Sequence, residues 1–140
     1  VVDSMAARAA ARRLKISVCL PEHTPLVRAD PRRVVQVLTN LLDNACKYGR
    51  SRARLRARPL ADPGWRRAGL ELVVEDDGAG IAEADRARVL ERGQRADERT
   101  DGQGIGLAVV REIVAAYRGE VAIDRSPLGG ARVTVRLPGR

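Results

Sequence analysis

The run Leu70-Glu71-Leu72-Val73-Val74-Glu75 is apolar enough to be a buried strand, and it delivers Asp76 to the mouth of a glycine loop, Asp77-Gly78-Ala79-Gly80-Ile81. A carboxylate held there accepts hydrogen bonds, and the exocyclic amine of an adenine is a fitting donor. Gly78 and Gly80 carry no side chain, so a planar base can approach the backbone. About two dozen residues later comes Gly102-Gln103-Gly104-Ile105-Gly106-Leu107. Glycines in front of a helix whose first N–H groups face outward make an anion site. The plainer reading of that segment is a loop and a helix cap. A Rossmann fingerprint fits less well, because a polar segment and not a strand precedes it. Upstream stands Asn40-Leu41-Leu42-Asp43-Asn44-Ala45-Cys46-Lys47-Tyr48. Asn44 can offer a neutral oxygen to Mg²⁺, and Lys47 can reach a phosphate as a point charge. Tyr48 can pack on a base or simply close the end of its helix. Each segment alone is a weak signal, but in this order and spacing they describe one nucleotide pocket.

The elements that must position these residues can be read from caps and periodicity. Asp30-Pro31 is a helix start, an N-cap followed by proline at the first helical position. The helix runs to about Tyr48 and stops at Gly49. At about 100° per residue, Val34, Leu38, Leu41, Leu42 and Ala45 fall on one arc, and Asn40, Asp43, Asn44, Lys47 and Tyr48 on the other. Two asparagines, poor helix formers, on a helix face mark a conflict between propensity and position that a functional site explains. Residues 3–14 favour a helix, Lys15 to Leu20 a strand, and Leu26 to Ala29 a short second strand. Ser51 to Arg58 reads as a strand with one wet face, and Pro59 to Gly69 as a connector anchored by Trp65. Leu70 to Glu75 is the buried strand already named. Ala82 to Glu91 is a short helical stretch. Arg92 to Gln103 is charged and almost free of aliphatics, so a mobile lid is expected there. Arg92, Arg95 and Arg99 are phosphate candidates, each balanced by the reading of a solvated charge run. Ile105 to Tyr117 is a helix ended by Gly119. Glu120 to Asp124 and Ala131 to Leu137 are strands joined by the turn Ser126-Pro127-Leu128-Gly129-Gly130. This order predicts an α+β two-layer sandwich and not alternating βαβ units.

Bulk properties set the remaining bounds. A chain of 140 residues is one domain with a real core, and with no Phe, one Trp and two Tyr that core must be aliphatic. Lys plus Arg number 26 against 18 Asp plus Glu, a net charge of +8, and all but Lys15 and Lys47 of the cations are arginine. Such a balance can mean a nucleic-acid or anionic-membrane surface. The arginines are scattered along the sequence and no aromatics are interleaved for base stacking, so a compositional habit is preferred. Cys19, Cys46 and the lone His23 have no metal-ligand spacing, which points to reduced thiols. No apolar run approaches the roughly 20 residues that span a bilayer. The first residues are Val-Val-Asp, which suggests a fragment of a longer protein.

These segments resemble the N, G1 and G2 boxes of the catalytic ATP-binding domain of sensor histidine kinases, within the group shared with gyrase, Hsp90 and MutL. The resemblance runs from about Lys15 to Pro138. Asp43-Asn44-Ala45-Cys46-Lys47-Tyr48, Glu75-Asp76-Asp77-Gly78, Arg92-Gly93-Gln94-Arg95 and Gly102-Gln103-Gly104 are similar to the PhoQ-type branch. It implies the Bergerat, or GHKL, fold: a mixed sheet of about five to six strands, three main helices and a flexible ATP lid at about 92–103. It implies ATP and Mg²⁺ as cofactors, with Asn44 on the metal. Lys47, Arg95 and Gln103 would lie at the phosphates, Tyr48 at the base and Asp76 on the adenine amine. The nucleotide-binding set also takes in Gly78, Gly80, Ile81, Arg92, Arg99, Gly104, Ile105, Gly106 and Leu107. The implied catalytic set is Asn40, Lys47 and Arg95.

Asn40 separates the subclasses. In the gyrase, Hsp90 and MutL relatives and in anti-sigma serine kinases, a Glu one turn before the metal-binding Asn is a general base. Asn40 stands at that place, and Asp43, offset by one position, is a weak substitute. An imidazole acceptor needs less help than water or serine. Where the family has Phe before the lid, this chain has Leu90. His23, in Pro-Glu-His-Thr-Pro, is a loop residue, so the phosphoacceptor must come from elsewhere. The implied partners are the dimerisation and phosphoacceptor domain of the same kinase and a cognate response regulator. The isolated domain would be a monomer and its parent a homodimer. Specific nucleic-acid binding is not expected, and any membrane link lies in segments outside this chain. The implied place is a cytoplasmic domain of an inner-membrane sensor kinase. The alternatives are a GHKL-type ATPase or serine/threonine kinase, a basic module binding nucleic acid or lipid, and a degenerate kinase that only binds nucleotide.

Overall fold

The computed structural model of the chain describes residues 15–19, 29–60, 69–89 and 103–139. Strand alternation organises it. The strands are β1 (Lys15–Cys19), β2 (Arg52–Leu60), β3 (Gly69–Asp76), β4 (Glu120–Arg125) and β5 (Ala131–Leu137); the helices are α1 (Pro31–Tyr48), α2 (Glu83–Val89) and α3 (Gln103–Ala116). The strands form one sheet in the order β1-β2-β3-β5-β4. β1 and β2 are parallel, and α1 lies on the connection between them; every other pair is antiparallel. Parallel neighbours need such a crossover, whereas antiparallel ones need only a turn.

Register puts Leu55, Val74, Val133 and Ile123 in one row across the sheet, and Ala57, Leu72, Val135 and Val121 in the next. Partners in register share a face. These residues meet Val37, Leu41, Leu42, Ala45 and Cys46 of α1 and Leu107, Val110, Ile113 and Val114 of α3 in a single core cluster. The result is the expected two-layer sandwich with a mixed five-stranded sheet and an aliphatic core. Cys46 is spent on that core, and Cys19 is exposed; neither is in a disulfide.

Local chemistry sets α1 as expected. The Asp30 side chain accepts from Arg32 N at 2.9 Å, Pro31 is the first helical residue, and Gly49 ends the helix. Asp30 N donates in turn to the Tyr117 hydroxyl at 3.0 Å, which pins the start of α1 to the end of α3. That end differs from expectation. The left-handed residue is Arg118, with φ 60°. Gly119 is needed for space, since a Cβ there would lie 2.1 Å from Arg136 O.

The connector expected over Pro59 to Gly69 is shorter, because β2 continues through Pro59 and Leu60 and β3 begins at Gly69. Proline is tolerated there because, among the described residues, β1 pairs with β2 only as far as Arg56 and no strand pairs with Pro59 on that side. α3 starts two residues before the expected Ile105. The helix expected over 3–14, the residues Leu26 to Arg28, His23, Trp65 and most of the expected lid lie outside the described residues.

The sheet face away from the helices is charged. Glu75 is fully buried there; Arg54 Nη2 and Arg56 Nη2 each donate to it at 2.7 Å, and Ser126 Oγ at 3.0 Å. Arg58 and Arg136 donate to Glu71 at 2.7 and 3.1 Å, and Arg132 grips Asp124 at both carboxylate oxygens. Burial alone would push the Glu75 carboxyl up, but Arg54, Ser126 and Arg56 more than offset it and hold it below its ordinary value. The Arg58 hydrogen bond does the same for Glu71, and Arg132 for Asp124. These carboxyls take up protons more readily in the unfolded chain. Their contribution to stability is therefore complete above the ordinary carboxylate range and is lost as pH falls through their folded values. The melting temperature should be flat near neutrality and fall below about pH 4. Glu75→Gln should flatten that fall in a thermal-denaturation series, and an unchanged slope would remove Glu75 from it.

Candidate functional site

Asp76 closes β3 on the helix-facing side, in register with the core residue Ala53, and is 3% exposed. Its Oδ1 accepts from Gly78 N at 2.9 Å and from Ala131 N at 3.3 Å. Among the described residues no hydrogen bond reaches Oδ2. One oxygen therefore orients the carboxylate and the other is left for a donor. Burial pushes the Asp76 carboxyl up; the two backbone N–H groups oppose this, and the Asp77 charge adds to it. A desolvated, oriented acceptor is what an adenine amine requires.

Asp77 has a different task. Its carboxylate accepts from the backbone N–H groups of Arg50, Ser51 and Arg52 at 2.9 to 3.1 Å and from the Ser51 hydroxyl. Burial works against ionisation, but these bonds outweigh it and hold the carboxyl far below the usual range. Asp77 thus ties the loop after β3 to the segment after α1. Gly78 makes the approach possible, because a Cβ there would lie 1.9 Å from Tyr48 O. Gly80 is left-handed at φ 79°, a conformation that glycine adopts freely. Ile81 packs against the core, and its carbonyl accepts from Arg86 Nε at 3.2 Å.

The polar face of α1 turns toward the first turn of α3. Asn40 Nδ2 donates to Gly106 O at 3.2 Å. Asn40 was expected among the catalytic residues; its amide is engaged in tying the two helices together. Asn44 lies one turn on, partly buried. Lys47 Nζ forms an ion pair with Asp43 at 3.1 Å and keeps about a third of its side chain exposed, at 34%. That pair also occupies Asp43. Tyr48 is exposed at the helix end, beside the Gly78 loop. Among the described residues a Cβ on Gly106 would meet nothing within 4 Å, which leaves room in front of that turn. The Leu107 side chain is in the core cluster, and its backbone lies in the first turn of α3. Arg92, Arg95, Arg99 and the side chains of Gln103 and Ile105 lie outside the described residues, as does the placement of Gly104 beyond its helical backbone.

The turn after β4 is a part of the site that sequence reasoning missed. Gly130 N donates to Asp76 O at 3.1 Å, and a Gly130 Cβ would lie 2.1 Å from Asp76 Oδ1 and 2.6 Å from Gly78 N. Gly129 supplies the turn conformation, with φ 111°. Two adjacent glycines where the turn needs one was the available signal. The α1 face, the Asp76 loop and the α3 first turn are therefore drawn to one place, with the 126–131 turn behind Asp76.

The model of the histidine kinase-, DNA gyrase B-, and HSP90-like ATPase family matches residues 29–140. The chain belongs to this family. It is 48% identical over 101 residues to the virulence sensor histidine kinase PhoQ of Salmonella typhimurium, covering 72% of this chain and 20% of that protein. It is 44% identical over 109 residues to the sensor protein kinase CarS of Pseudomonas aeruginosa, covering 78% and 23%. The chain thus spans about a fifth of the length of these curated relatives, 20% and 23%. Among solved structures, the mycobacterial sensor histidine kinase MprB superposes with a TM-score of 0.77 at 31% identity, covering 99% of this chain and 92% of that one. Full-length ShkA in complex with AMPPNP superposes at 0.80 with 30% identity, covering 98% and 28%. The Asp76 carboxylate, its glycine loop and the α1 face all fall within the segment that the family model matches.

Proposed function

We propose that this chain is the ATP-binding catalytic domain of a sensor histidine kinase, presenting the γ-phosphate of Mg-ATP to a histidine on a separate helical dimerisation domain. The phosphoryl group then passes to an aspartate of a response regulator. The observation that carries the reading is Asp76: a buried carboxylate with Oδ1 fixed by two backbone N–H groups and Oδ2 left for the adenine amine. The relatives named as sensor histidine kinases, and the AMPPNP complex of ShkA, support it. Asn40 supports it over a water-activating ATPase, since its amide donates to Gly106 O and cannot take a proton.

Phosphoryl transfer asks mainly for positioning and charge neutralisation, which bound Mg²⁺ supplies. Asn44 would offer the metal one neutral oxygen. Among the described residues no group of three or more His, Cys, Asp or Glu could hold an ion. A metal that takes few protein ligands and keeps waters and phosphates around it suits Mg²⁺. Lys47 would exchange its Asp43 contact for a phosphate, and the first turn of α3 would add its N–H groups. The parent would be a homodimer, with this domain on the cytoplasmic side of an inner membrane.

Calorimetric titration of ADP and a non-hydrolysable ATP analogue, with Mg²⁺ and then with EDTA, tests the reading. Micromolar binding that weakens without Mg²⁺ is expected, followed by transfer to a supplied helical histidine domain. Absence of binding in both conditions, or steady ATP hydrolysis by the chain alone, would overturn it. Lys47→Ala should weaken ATP binding about tenfold while adenosine binding stays the same, the loss of one charge-assisted contact. Equal losses for both ligands would remove Lys47 from the phosphates.

A further inference from the structure

The arginines that look scattered along the sequence converge on one half of the open sheet face. Register sets Lys15 beside Arg52, Ser17 beside Arg54 and Cys19 beside Arg56, and alternation along β2 carries the row on to Arg58. The carboxylates between these cations, Glu71 and Glu75, are sealed, while the side chains of Arg54, Arg56 and Arg58 stay 34%, 43% and 66% exposed. The side chains of Lys15 and Arg52 form no ion pair among the described residues, although the Arg52 backbone N–H donates to Asp77. Among the described residues, the charged side chains that project along β2 on this half are therefore all cations, repeated about every 7 Å. In the β4–β5 half the charges cancel, with Arg132 on Asp124 and Arg136 beside Glu120.

What this surface lacks narrows its partner. The large hydrophobics exposed among the described residues are Val18, Val35 and Tyr48, and none is on this face: Val18 shares the core side with Leu55, and the other two are on α1. Protein interfaces centre on aromatic residues and arginines packed into pockets; this face has arginines but, among the described residues, no exposed aromatic or large aliphatic beside them. Nucleic acid is read by elements that enter a groove or by aromatics that stack on bases. A twisted sheet face meets a cylinder along a narrow strip and a bilayer over a wider area. Attraction to an anionic bilayer adds up residue by residue for cations near the surface and fades within a Debye length. A row of cations on one sheet face, with the Lys15 and Arg52 side chains outside any ion pair among the described residues, uses that attraction.

We propose that the β1–β3 half of the open sheet face docks on an anionic phospholipid bilayer. Asp76 lies on the opposite, helix-facing side, so docking leaves the nucleotide site turned away from the membrane. The proposal goes beyond the kinase reading and does not depend on it.

The test is co-sedimentation of the 140-residue protein with vesicles of phosphatidylcholine alone or mixed with phosphatidylglycerol. Binding only to the mixed vesicles, released by salt, is expected. The double variant Lys15→Gln, Arg52→Gln should weaken it by about tenfold to thirtyfold, from the usual contribution of each surface cation. The double variant Arg33→Gln, Arg111→Gln removes the same charge from exposed positions of the helical layer, and should change it less than about threefold. Equal weakening by both pairs would reduce the effect to net charge and overturn the proposal. So would absence of vesicle binding, or duplex DNA that displaces the vesicles and loses affinity in the first variant. ADP titration of each variant is read separately, so failure of the kinase reading and failure of the docking surface give different results.

Discussion

Asp76→Ala is expected to weaken ADP binding about tenfold to a hundredfold, the value of one charge-assisted hydrogen bond. The loss should be the same for adenosine, because Asp76 addresses the base. Asp76→Asn is the sharper test. The amide keeps an oxygen for Gly78 N and Ala131 N, which meet Oδ1 at 2.9 and 3.3 Å, and so puts a donor where Oδ2 stood. An adenine amine then faces another donor, and binding should fall at least as far. Stability should not fall with it. Burial holds the Asp76 carboxyl above its ordinary value, so its ionised form disfavours folding at neutral pH. The neutral amide removes that cost, and the melting temperature should hold or rise. Full ADP affinity in Asp76→Asn would mean that the base lies elsewhere; a collapse in stability would mean that the carboxylate is structural.

The second large effect is expected at Gly130. A Cβ there would stand 2.1 Å from Asp76 Oδ1, 2.6 Å from Gly78 N and 2.7 Å from Asp76 O. Two of these neighbours are backbone, and the third is a carboxylate pinned by two hydrogen bonds. None can move without dismantling the acceptor, so Gly130→Ala should lower stability by about 1–3 kcal/mol, the usual overpacking cost, and abolish ADP binding as well. Gly106→Ala is the control. Among the described residues its Cβ would meet nothing within 4 Å. Alanine is the better helix former by about 1 kcal/mol, so thermal stability should rise. ADP affinity should fall, because the space in front of that turn is where the phosphates would sit. If Gly130→Ala unfolds no earlier than the parent protein, the turn after β4 does not brace Asp76.

Much of the molecule is legible in short stretches of sequence. Asp30, Pro31 and Gly49 mark both ends of α1 because a cap is a bond between near neighbours. Alternation marks β1 and β2 because successive strand side chains must point to opposite faces, and an apolar run marks β3. Asn40, Asn44 and Lys47 could be placed on one face of a helix from spacing alone. The two glycine segments and Asp76 announced a nucleotide because the chemistry of each is local.

Tertiary structure alone decided what those pieces do to one another. Asp76 gains its orientation from Ala131 N, 55 residues away, and a backbone N–H leaves no mark on residue type. Asn40 has a carbonyl of α3 as its partner, 66 residues on. Asp76 and Asp77 read alike as neighbours in a loop, yet one is desolvated in the site and the other locks the chain at 50–52. Lys15, Arg52, Arg54, Arg56 and Arg58 become one cationic surface only when β1 and β2 align, with carboxylates from β3 sealed beneath them. Sequence determines what each segment can form, since caps, periodicity and side-chain chemistry act within a few residues. Which segments meet is decided by strand order and register, which minimise exposed apolar surface over the whole chain and are written in no single stretch of it.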